Sequence, residues 1–126
     1  MAYLVDSNVV INYVAENFDA IVLSRLDNVF DAAFNYSVIT VMEVVGYNGD
    51  ADDMDRFEDL FEAGNRLSID AAVITETINI RKAGKIKLPD AIIAATAIVY
   101  ALQLLTQNTD DFKNISGLTV IDPTDL

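Results

Sequence analysis

The chain has 126 residues, 52% of them hydrophobic, which is enough for one globular domain with a substantial core; no apolar run approaches the roughly 20 residues that span a bilayer. It contains no cysteine and no histidine, which excludes disulfides, cysteine- or histidine-held zinc and histidine-based catalytic triads. The net charge of −12 opposes binding a polyanion by bulk attraction, so chemistry has to come from carboxylates, hydroxyls, amides, lysines or a bound ion.

Residues 2–5 form a short apolar run bounded by Asp6, the pattern of a central parallel strand buried on both faces. Ser7 or Asn8 can cap the helix that follows, and a second helical stretch runs over residues 18–30. Residues 36–39 read as a second strand. Thr40 can then cap a helix starting near Val41, with Glu43 three residues on, the spacing of a capping box. Residues 46–50 are turn-like, and residues 51–63 form an amphipathic helix with an acidic, solvated face and Gly64 as its C-cap.

A third strand is expected over residues 66–69, then a helix over 71–82 capped by Asp70 and ended by Gly84. Four of the eight basic residues, Arg81, Lys82, Lys85 and Lys87, crowd into the connector that follows. They either solvate it or hold a nucleic-acid backbone. Pro89 opens an almost wholly apolar helix over residues 89–101, with Asp90 in its first turn. The helix dipole favours an acid there, so capping alone can account for Asp90. A fourth strand over 102–106, a polar loop over 107–113 and a fifth strand over 118–121 complete the chain. Strands alternating with helices at this spacing predict an α/β fold, a parallel sheet of four to five strands covered on both faces by right-handed crossovers.

In such sheets ligands bind beyond the carboxyl ends of the strands, where strand order reverses. Asp6 lies at the end of strand one, Glu43 past strand two, and Asn108, Asp110 and Asp111 past strand four. Asp90 joins them if the start of its helix lies at that edge. Acids held close resist ionisation unless a cation is present. A donor set made only of oxygen suits Mg²⁺ or Mn²⁺, which can activate water and stabilise charge on a phosphodiester.

Four segments taken together resemble the PIN domain, specifically the small VapC-type ribonuclease toxins of toxin–antitoxin pairs. They are Leu4-Val5-Asp6-Ser7-Asn8, then Ser37-Val38-Ile39-Thr40-Val41-Met42-Glu43, Leu88-Pro89-Asp90-Ala91-Ile92-Ile93-Ala94-Ala95-Thr96-Ala97, and Leu105-Thr106-Gln107-Asn108-Thr109-Asp110-Asp111-Phe112. The resemblance covers essentially the whole chain and implies a single three-layer α/β/α domain over residues 1–126. It implies Asp6, Glu43 and Asp90 as catalytic and metal-binding acids, with Asn108 in the place of a fourth family acid and Asp111 as the other candidate. It further implies Ser7, Asn8 and Thr106 orienting the ligands, and RNA held by Arg81, Lys82, Lys85 and Lys87. A VapB-type antitoxin, a homodimer and a cytoplasmic location without membrane attachment follow from the same likeness. Gln107 stands where the family often has an arginine, which together with Asn108 keeps open a non-catalytic or weakened PIN-like interaction module. A phosphoacceptor receiver domain is disfavoured, since Asp6 stands without a paired acid and Asp122-Pro123 lies where a lysine is needed. A dinucleotide-binding domain fails for want of Gly-x-Gly-x-x-Gly.

Overall fold

The computed structural model describes residues 2–32, 34–46 and 49–126. Five parallel strands, β1 (Tyr3–Val5), β2 (Asn35–Ser37), β3 (Asn65–Leu67), β4 (Gln103–Leu105) and β5 (Val120–Ile121), lie in the order β3-β2-β1-β4-β5. β1 is therefore central, and the chain leaves it in one direction toward β2 and in the other toward β4. That reversal places the crevice of the sheet beyond Asp6.

Seven helices cover the two faces among the described residues: α1 (Ser7–Val14), α2 (Ala20–Asp31), α3 (Val38–Val45), α4 (Ala51–Ala63), α5 (Ala71–Ala83), α6 (Leu88–Val99) and the single turn α7 (Thr109–Phe112). None is long and apolar enough to cross a membrane. Side chains alternate along a strand, so neighbouring residues feed opposite layers. Val5 and Leu105 pack with Leu26, Phe30, Phe34, Tyr36 and Phe57 on the side of α1–α4. Leu4 and Leu104 pack with Val73, Ile93, Ala94 and Phe112 on the side of α5–α7. Ala91, Ala94, Ala95 and Ala97 of α6 belong to this layer and are fully buried.

The expected three-layer α/β/α architecture is present, with differences at element boundaries. The first helix is capped by Asp6 itself, whose carboxylate accepts the Ser7 N–H, and not by Ser7 or Asn8. The second strand ends at Ser37, and α3 starts at Val38 although Val38-Ile39-Thr40-Val41 is a β-prone run. Ser37 Oγ accepts the Ile39 N–H at 3.1 Å, and the helix buries Thr40 and Val44. Thr40 therefore sits inside the helix and caps nothing, so the capping-box reading of Glu43 fails. Exchanging the buried Ser37 for alanine is expected to cost about 1 kcal/mol and to lower the melting temperature by about 4 °C in a calorimetric scan.

Asp70 caps α5 as expected, accepting the Val73 N–H at 3.0 Å. Tyr100, just past α6, donates a hydrogen bond to the other Asp70 oxygen at 2.7 Å, which ties the two helices as an antiparallel pair. Gly64 does follow α4, but its backbone is extended and its conformational freedom is not what the fold uses. A Cβ there would stand 2.7 Å from the Phe34 ring, so the absence of a side chain is what lets the aromatic core close. The turn expected over residues 46–50 falls partly outside the described residues, at 47 and 48.

Candidate active site

Asp6 is 5% exposed although it is a carboxylate, and four donors explain how it is held. The Ser7 N–H donates to Oδ1 at 2.9 Å, while Thr106 Oγ1 at 2.8 Å and Asn8 Nδ2 at 3.0 Å both donate to Oδ2. The fourth donor, Ser7 Oγ, stands 3.5 Å from Oδ1 but 3.1 Å from Glu43 Oε1. With one proton to give, it serves Glu43. Oδ2 is thus saturated, while Oδ1 accepts one hydrogen bond and keeps a lone pair.

The partners of Asp6 are themselves locked. Thr106 Oγ1 accepts from Asn8 Nδ2 and from the Asn108 N–H, each at 3.1 Å, which leaves its own proton for Asp6. The Gln107 N–H donates to Asn8 Oδ1 at 3.0 Å. That bond fixes which end of the Asn8 amide faces the carboxylate. Gln107 is held in turn, since Asn12 Nδ2 donates to its Oε1 at 2.6 Å. The Asn12 contact could not be read from sequence, because the two residues lie 95 positions apart and Asn12 belongs to no recognisable pattern.

Burial raises the pKa of Asp6, against the pull of the hydrogen bonds from Thr106, the Ser7 N–H and Asn8. Glu43 is raised too, first by burial and then, against its bond from Ser7, by the charges of Asp6 and Asp90. Asp90 is raised by burial, then by Asp6 and Asp111, with Lys87 acting the other way. Four acids that were separate in sequence therefore share one electrostatic field. Asp90 reaches it because α6 begins at the edge where β1 ends. In the side-chain arrangement present, no three acids among the described residues are close enough to grip one ion directly.

Asn108 is exposed at the start of α7, and its side chain makes no capping bond. Asp110 is exposed on the first turn of α7. Arg81, Lys85 and Lys87 line one open depression of about 510 Å³ at the α5–α6 turn, beside Asp90; Lys82 is exposed outside it. Thr40, one turn before Glu43, is 1% exposed, and its hydroxyl has no partner among the described residues.

The donor set contains only oxygen, has a free lone pair on the most rigid acid and resists ionisation without a counter-charge. Such a set fits a hard divalent cation better than a neutral ligand.

The model of the PIN domain matches residues 3–118. No curated protein matches the chain. Among solved structures it is similar to a toxin–antitoxin complex from Klebsiella pneumoniae, with a TM-score of 0.80 and 29% identity over 99% of this chain and 100% of that one. It is also similar to VapBC-1 from nontypeable Haemophilus influenzae, with a TM-score of 0.77 and 25% identity over 98% and 99% of the two chains. DNA-bound VapBC from Salmonella typhimurium shares the fold, with a TM-score of 0.81, 21% identity and 98% coverage of each chain.

Proposed function

We propose, since the chain belongs to the PIN domain family, that it is a divalent-metal-dependent endoribonuclease acting as the toxin of a VapBC-type pair. The observation that carries this reading is the shared field of Asp6, Glu43 and Asp90 at the sheet's reversal point, with a lone pair left on Asp6 Oδ1. Likeness to toxin–antitoxin complexes supports an antitoxin partner. Exposed Ile74 and Ile78 on α5 offer apolar surface for pairing two copies. The whole chain is read as one PIN domain working in the cytoplasm.

In this reading Asp6, Glu43 and Asp90 hold Mg²⁺ or Mn²⁺, with Asn108 or Asp111 completing the set. When bound, the ion supplies Lewis acidity, making a water nucleophilic at neutral pH and offsetting charge on the phosphate. The chain's own residues do the rest. Thr106 and Asn8 keep Asp6 from rotating, so Oδ1 stays presented. Ser7 holds Glu43 toward Asp6. Arg81, Lys85 and Lys87 hold the RNA backbone beside Asp90, with Lys82 adding charge along its approach. Without histidine, the attacking water passes its proton to a carboxylate of the cluster or to solvent.

The test is mixed-sequence RNA incubated with the protein in Mn²⁺ and in EDTA; cleavage in Mn²⁺ alone is expected, and intact RNA in both would overturn the reading. Asn108 in the place of a fourth acid, together with the low basic content, favours a second reading, a non-catalytic interaction module. Asp90→Asn separates the two. The mutation loses a dipole interaction of about 0.3–1 kcal/mol, yet the raised pKa of Asp90 means that its surroundings on balance disfavour the charge. The variant is therefore expected to melt about 1–3 °C higher than wild type without metal, the effect being small because solvent screens a partly exposed acid. Mg²⁺ is expected to raise the wild-type melting temperature and to do so less in the variant. A scan indifferent to both changes would favour the module.

A further inference from the structure

A cavity of about 450 Å³ opens between the C-terminal half of α5, the α5–α6 turn and the segment after α7. Its volume lies in the range of small-molecule sites. Ile80, Ala83, Ile86 and Ile115 give it apolar walls, while Glu76 and Asp111 bring carboxylates, Asn79 and Asn114 amides, and Lys113 an ammonium group. Asn114 has a positive φ of 70°, a conformation that asparagine tolerates better than most residues.

Two features connect the cavity to the acid cluster. Asp111, whose charge bears on Asp90, lines it. Lys85, Gly84 and Ile86 line both this cavity and the basic depression, so the two lie on either side of one turn. A strand whose phosphate rests on Arg81 and Lys87 therefore has a slot for a neighbouring unstacked base. Unstacked bases are held in such slots, with the face packed between apolar side chains and the edge hydrogen-bonded to polar ones.

We propose that this cavity is a nucleobase subsite for single-stranded RNA, selective for bases that carry an exocyclic amino group. It rests on the nuclease reading and names the specificity of that site. The Glu76 carboxylate accepts hydrogen bonds only, which suits the amino groups of adenine, cytosine and guanine, whereas the one edge donor of uracil, N3–H, lies between two carbonyl oxygens that repel a carboxylate. Continuity with the acids and the basic depression favours RNA over a partner protein's side chain.

The test uses the isotopically labelled full chain in EDTA, titrated with the 5′-monophosphates of adenosine, cytidine, guanosine and uridine and followed by NMR. We expect shifts at the Asn79 and Asn114 amides and the Ile86 and Ile115 methyls, with the uridine nucleotide binding about tenfold more weakly than the best of the others. Glu76→Ala, which removes the acceptor from a helical position that tolerates alanine, is expected to remove that preference without unfolding the chain. In Mn²⁺ the same variant is expected to change which nucleotides flank the cut in mixed-sequence RNA. Shifts confined to Arg81 and Lys87, equal binding of all four nucleotides, or cavity signals that respond only to a protein partner would each overturn the proposal. Nucleotide binding with the expected preference but no cleavage would defeat the nuclease reading and leave the subsite standing. Cleavage without cavity shifts would do the reverse.

Discussion

Asp6→Ala is expected to lower Mn²⁺-dependent RNA cleavage by at least about a hundredfold, since the loss even of residues that merely orient metal ligands costs ten- to a hundredfold. The expectation follows from how much structure serves this one carboxylate. A peptide N–H, a hydroxyl and an amide all point at it, and the amide is itself fixed by a further bond from Gln107. A purely capping acid needs only the first of these. Removing the cap costs about 1 kcal/mol, but removing a buried charge offsets part of that loss, so the variant should remain folded by circular dichroism. Cleavage assayed with purified variant at matched concentration decides the matter. Activity within about threefold of wild type would reduce Asp6 to a helix cap.

Leu104→Ala is expected to have the largest effect on stability, about 2–5 kcal/mol. Leu104 is fully buried and faces the α5–α7 layer from a strand paired on both sides. Total stability for a domain of this kind is about 5–15 kcal/mol, so the loss is a large fraction of it. A urea titration should show a lower midpoint with an unchanged slope, the mark of lost stability with the folded and unfolded states otherwise alike. A midpoint within error of wild type would mean that the layer between β4 and α6 collapses around the missing side chain.

Much of this was legible in the sequence, for identifiable reasons. β1 is a continuous apolar run because both of its faces are covered, so it could be read without knowing its neighbours. Asp90 stood out because an acid beside a proline opens a helix with little other polarity. Glu43 was harder. Thr40-x-x-Glu43 has the spacing of a capping box, and only the fold reveals that Ser37 does the capping and leaves Glu43 facing Ser7. The first cap was misplaced for a related reason. Asp6 serves both the backbone of α1 and the acid cluster, and local pattern alone assigns the capping role to its neighbours. Asn12 and the Glu76–Asn114 cavity carried no signal, because they depend on which distant segments meet. A period can be read along one segment, whereas a meeting of two depends on sheet order.

The position of β1 has a consequence for how the molecule comes into being. The strand is made first, yet one of its two neighbours is β4, nearly the full length of the chain later. Until β4 slots in, β1 has an open side and Asp6 lacks the hydroxyl that steadies it. A polypeptide still emerging from the ribosome, or cut short before Gln103, therefore holds Asp6, Glu43 and Asp90 in its covalent structure without the frame that aligns them. The alignment of these acids arrives with the last fifth of translation rather than growing with length.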